Sequence, residues 1–196
     1  DDNCSSWQSC GDLSGACECT DNGGNVNGLG DINVTDIVAL VGWILGCSGD
    51  ATCFTAEQVC NGDLNDDGDV NVIDVTALVN IILADRISYD DATSANIVLT
   101  NNTISVNSDG YVAGVQMTLS HGSNFSLDLE DSYVSEYSTI GNKTTLLLVA
   151  TGNSLEEIAT YKGSFEVESI VLCNSNDEIF DVNVINVNSV EVKLTG

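Results

Sequence analysis

Apolar positions follow two different periods along the chain. Between residues 34 and 83 they recur at helical spacing: Ile37, Leu40, Val41 and Ile44 stand at i, i+3, i+4 and i+7, and so do Val75, Leu78, Val79 and Ile82. Each run opens at an aspartate, Asp36 or Asp74. The two segments superpose at a shift of 38 residues, with Asp31-Ile-Asn-Val34 on Asp69-Val-Asn-Val72, so this half is an internal duplication. Thr55-Ala-Glu-Gln58 has the form of a capping box and predicts a short helix from about Ala56.

Beyond a polar connector the period drops toward two. Short β-branched runs at residues 97–99, 103–106, 111–119, 125–129, 144–149, 165–167, 170–172, 180–184 and 190–194 are separated by Asn-Asn, Asp-Gly, His-Gly and Gly-Asn turns. Eight or nine strands in that space predict an antiparallel β-sandwich of immunoglobulin-like architecture. The expected fold is α+β in two domains. A cysteine-rich segment covers residues 1–20, a helical module 21–85, a connector 86–94 and the sandwich 95–196.

Charge narrows the partners. The 196 residues carry 30 acids against four bases, Arg86, Lys143, Lys162 and Lys193, a net charge of −26 that repels a phosphate backbone and excludes nucleic acid. The longest apolar stretch, residues 37–47, is far shorter than the roughly 20 residues a membrane-spanning helix needs. The opening Asp1-Asp2-Asn3-Cys4 lacks the basic and apolar character of a signal peptide, so any such segment is expected to have been removed.

Eight cysteines point to an oxidising, extracellular or cell-surface setting. Cys4, Cys10 and Cys17 share their spacing with Cys47, Cys53 and Cys60, each pair lying 43 residues apart, and Cys19 stands outside both triplets. If all eight are oxidised, parity sends Cys173 to the cysteine-rich segment, with Cys19 as its candidate partner, within one chain or between two. Cys17-Glu-Cys19 lacks the spacing and the second pair of a zinc ribbon.

Residues 63–74 carry the clearest chemistry. Asp63, Asn65, Asp67, Asn71 and Asp74 place side-chain oxygens at loop positions one, three, five, nine and twelve. Asp69 offers its carbonyl at seven, and Gly68 permits the sharp turn at six, as in an EF-hand type loop. A hard cation with many flexible oxygen ligands is expected, Ca²⁺ rather than Mg²⁺. The first copy keeps Asn27, Asp31, Asn33 and Asp36 but has Asn25 at position one and Leu29 at position five. It is either a vestigial loop held by packing or a weaker site completed by Asp21, Asn22 or water.

These two loop-helix copies, with Gly62-Asp-Leu-Asn-Asp-Asp-Gly-Asp-Val-Asn-Val-Ile-Asp-Val-Thr-Ala-Leu78 as the better one, resemble a type I dockerin module. The stretch Asp109-Gly-Tyr-Val-Ala-Gly-Val-Gln-Met-Thr-Leu-Ser120 resembles a strand of a cohesin, the β-sandwich that dockerins bind. The resemblance implies calcium-dependent folding and a partner contact at Val72, Ile73, Val34 and Thr35, just before loop position twelve. The partner would be either another copy of this chain or a separate cohesin-like domain.

Other signals reduce to structure. The single histidine, His121, sits in a turn beside Ser120 and Ser123 with no nucleophile-elbow string. The pairs Glu130-Asp131 and Glu156-Glu157 are read as solvated loop acids rather than a glycosidase dyad. Five Asn-x-Ser/Thr strings occur, about what chance gives in this composition. Of these, Asn101 and Asn142 in hairpin turns are the better glycan acceptors, with Asn124 and Asn3 behind them and Asn33, inside a loop, poorer. The expectation is a secreted, non-enzymatic structural protein that polymerises head to tail into an extracellular filament. Its rival is an adapter that docks a foreign cohesin in a carbohydrate-degrading complex.

Overall fold

The computed structural model describes residues 23–47, 56–83 and 89–187. Three helices, α1 (Val34–Cys47), α2 (Ala56–Gly62) and α3 (Val72–Leu83), precede nine strands. The duplicated helices start the same way. Asn33 Oδ1 accepts the Thr35 N–H at 2.9 Å while Asp36 reaches back to the Asn33 N–H at 2.9 Å. Asn71, Ile73 and Asp74 repeat this at 2.9 and 2.8 Å. Each reciprocal cap satisfies two orphan donors and fixes where its helix begins.

The strands are β1 (Ser94–Leu99), β2 (Thr103–Ser108), β3 (Gly114–His121), β4 (Ser126–Leu129), β5 (Val134–Ile140), β6 (Lys143–Val149), β7 (Glu157–Lys162), β8 (Phe165–Cys173) and β9 (Asp181–Asn186). They form two sheets, ordered β4-β7-β2-β1-β9 and β5-β6-β3-β8. Ile97, Ile104, Met117, Leu119, Leu146 and Leu148 fill the space between them. The sandwich is not wholly antiparallel, because β9 runs parallel to β1 from Ser94↔Asp181 to Leu99↔Asn186. Periodicity marks a strand but not its neighbour, so this pairing is absent from the sequence pattern. Strands β5 and β7 were also unanticipated. The two short runs expected at 165–167 and 170–172 are one strand, joined across a bulge opposite Thr118 and Leu119. The expected strand at 190–194 lies outside the described residues.

Strand β6 explains how the helices are placed. Every residue from Thr144 to Val149 is buried, a pattern that requires cover on both faces of the sheet. Leu146 and Leu148 point into the sandwich, while Leu147 and Val149 join Val72, Ile73, Val75, Leu78 and Ile37 in a second core beneath α1 and α3. The molecule therefore has three layers: helices, four-stranded sheet, five-stranded sheet. Residues 89–93 are pinned to the sandwich. Tyr89 stacks on Tyr111 at 3.8 Å, Asp91 accepts the Ser175 N–H at 3.0 Å, and Ala92 is fully buried.

Candidate cation loops and docking face

In the loop of residues 63–74 the side-chain oxygens turn inward. The Asp63 carboxylate accepts the N–H groups of Asp67 (3.1 Å) and Gly68 (2.9 Å), Gly68 supplying the left-handed turn at φ 91°. Asn65 accepts from Asp67 N–H at 3.2 Å, and Asp67 from Asp69 N–H at 2.8 Å. Asp74 closes the loop from the helix side, accepting Leu64 N–H at 2.7 Å as well as Asn71 N–H. Its side chain is fully buried, and burial, opposed by these backbone hydrogen bonds, pushes its carboxyl up to about 6.

The copy at residues 25–36 has the same closure. Asp36, also fully buried, accepts Asn27 N–H at 3.0 Å, and Asn27 accepts Leu29 N–H at 2.7 Å. Asn25 donates to the Gly30 carbonyl at 3.0 Å, while its Oδ1 is buried without a partner. An orphaned acceptor at position one fits a cation that would take it as a ligand. Among the described residues no three acidic, histidine or cysteine side chains converge as a ready ligand set. A cation in either loop would therefore draw on amide and carbonyl oxygens beside the aspartates, as Ca²⁺ coordination allows.

The loop at 63–74 leads directly into the face by which α3 sits on the sheet. Val72 and Ile73 are fully buried in the core that the helices share with Leu147, Val149 and Cys173 of the sandwich. The Val72 N–H donates to Gln116 Oε1 at 3.0 Å, Thr76 Oγ1 lies 3.4 Å from Cys173 Sγ, and Asn80 donates to the Ser175 carbonyl at 3.2 Å. Gly114 makes this approach possible. A Cβ on it would lie 2.7 Å from Cys173 Sγ, 2.9 Å from Thr76 Oγ1 and 2.9 Å from Val72 Cγ2. Gly114, Gln116 and Thr76 were not singled out from sequence, although a glycine inside a strand signals a close backbone approach.

The duplicate face on α1 is open. Val34 is 56% exposed and Val38 67%, where their counterparts Val72 and Thr76 are covered, and Thr35 is exposed where Ile73 is buried. Beside it runs an apolar groove of about 500 Å³, walled by Val34, Val38 and Gly42 of α1 and floored by Tyr133, Val134 and Glu136 at β5.

The disulfide expected at Cys173 is not formed: it is a free thiol, fully buried where β8 meets α3, and burial pushes it up to about 12. Its surroundings are Thr76, Val72 and Gly114 rather than another sulfur. Cys4, Cys10, Cys17, Cys19 and Cys53 lie outside the described residues, as does Asn3. Asn101, Asn124 and Asn142 are exposed, the first and last in the tight turns β1–β2 and β5–β6. His121 is a structural side chain, stacked on Phe125 at 4.3 Å with Nε2 2.7 Å from Thr144 Oγ1.

No protein-family model matches the chain, and no curated protein matches it. Among solved structures it is similar to a non-cellulosomal cohesin from the hyperthermophilic archaeon Archaeoglobus fulgidus. The identity is 14% over 48% of this chain and 86% of that one, with a TM-score of 0.28.

Proposed function

We propose that the chain is a secreted, non-enzymatic structural subunit that associates with copies of itself, its two loops holding Ca²⁺ and its amino-terminal cysteines forming disulfides. The observation that carries this reading is the seat of α3 on the four-stranded sheet. Val72 and Ile73 are fully buried there, and a main-chain N–H is capped by a glutamine 44 residues away. A helical pair that fits a sheet face in this way can fit the same face of a neighbour, so exchanging it between chains would join them without any new surface. The four-residue run from Asn71 to Asp74 belongs to both the cation loop and the seat, which couples the metal to the contact.

Light scattering across a concentration series with Ca²⁺ tests the reading. Polymers are expected from the unmodified chain, and Val72→Asp with Ile73→Asp should abolish them. Only monomer at high concentration would refute self-assembly. That outcome would favour the second reading, an adapter whose exposed α1 face, the duplicate of the seated one, takes the β-sheet face of a separate cohesin-like sandwich. A shift to a one-to-one complex on adding such a sandwich would support it.

A further inference from the structure

The groove between α1 and β5 has the form of a strand-binding site. β5 ends the four-stranded sheet, so one side of its backbone has no strand partner among the described residues. Strands leave such an edge open to another extended segment, which gains main-chain hydrogen bonds along it. Here the edge has a wall. Val34 and Val38 project from α1 beside it, and Gly42 leaves open space where a side chain would stand. A segment added to β5 would lay alternate side chains against that apolar wall. Glu130, Asp131 and Glu136, all exposed around the start of β5, make the surroundings acidic.

One segment of the chain matches this chemistry. Residues 190–194, Val-Glu-Val-Lys-Leu, alternate apolar and charged positions and contain Lys193, one of only four bases in the chain. They follow β9, which forms the edge of the other sheet, whereas β4 and β5 are joined by a short turn and flank the opposite side. Crossing from β9 to the β4 side spans four strand spacings, about 19 Å, before the step between sheets of about 10 Å. The three residues from Val187 to Val190 reach at most about 11 Å. The segment therefore cannot fill its own chain's groove.

We infer that residues 190–194 of one copy add as a strand to the β5 edge of the next, with Val190, Val192 and Leu194 against Val34 and Val38 of its α1 wall. The contact is heterologous, so repeating it yields a ring or a filament. It rests on the reading that copies of this chain associate, but not on exchange of the helical pair.

The test is a fluorescent peptide of residues 188–196 titrated into the full chain, read by anisotropy, with light scattering of the same samples. Saturable binding is expected. It should fall at least tenfold with Val38→Asp in the chain, whose side chain is exposed enough to spare the fold, or with Val192→Asp in the peptide. Lys193→Glu should weaken it about threefold, the scale of an exposed ion pair. Where polymers form, the peptide should shorten them. Polymers that neither bind the peptide nor shorten would overturn the strand site and leave self-assembly standing. Binding by a chain that stays monomeric would overturn the contact between copies together with self-assembly, leaving β5 as a peptide-binding edge alone. Failure of both would remove both.

Discussion

Single residues set how closely the layers approach. Gly114 has no room for a methyl group, because two of the atoms a Cβ would meet belong to α3 and the third is a buried sulfur. Gly114→Ala should lift α3 from β3 and cost about 1–3 kcal/mol, as overpacking of a tight core does, measurable by denaturant unfolding. Cys173 reports the same event. Buried and held as a thiol, it should resist alkylation in the seated state and react in Gly114→Ala, and a thiol that reacts equally fast in both proteins would show that the seat is not closed. Asp109, in the turn between β2 and β3, accepts four hydrogen bonds, from the N–H and hydroxyl groups of Thr93 and Ser94. They hold its carboxyl well below the usual carboxylate range. A depressed folded value means that the contribution is complete above about pH 4, the unfolded value, and is lost as pH falls further. Melting temperatures at pH 5 and pH 2.5 should therefore differ less in Asp109→Asn than in the unmodified chain.

At the scale of elements, the loops and the helices they cap act as units. A ligand at one hundred times its dissociation constant adds about 2.7 kcal/mol, so chelation should loosen the helical pair, with Asp63→Ala reproducing the effect. The sandwich should respond as well: Leu147, Val149 and Cys173 share the second core with α3, so chelation should also uncover the outer face of the sheet and speed Cys173 labelling. Calorimetry with no Ca²⁺ binding at millimolar concentration would remove the loops from the argument. The helical pair was legible because its repeat, caps and ligand spacing are local patterns. β5 was not, since Val134-Ser-Glu-Tyr-Ser-Thr-Ile140 is an edge strand with exposed Tyr137 and Ile140, and its alternation carries little contrast. Val72 and Ile73, which the resemblance implies meet a partner, are instead buried within their own chain, a cover that local sequence pattern does not name.

For the whole molecule the governing quantity is the net charge of −26, which opposes any contact between copies. Apolar seats such as Val72 on the sheet, or Val38 beside β5, are local and short-ranged, whereas repulsion between exposed acids reaches about 10 Å at 0.1 M salt. Monovalent salt should therefore promote association by screening alone. Ca²⁺ should do more at equal ionic strength, because bound ions cancel charge at the loop that continues into the seated helix. Mg²⁺ should fall between them, since it keeps its water and prefers octahedral sites. Light scattering in NaCl, MgCl₂ and CaCl₂ at matched ionic strength separates the two effects. Three coincident curves would mean that cations only screen, and the loops would then have no part in assembly. A calcium curve displaced to lower protein concentration, and returned to the sodium curve by Asp63→Ala, would tie association between copies to the loop that opens α3.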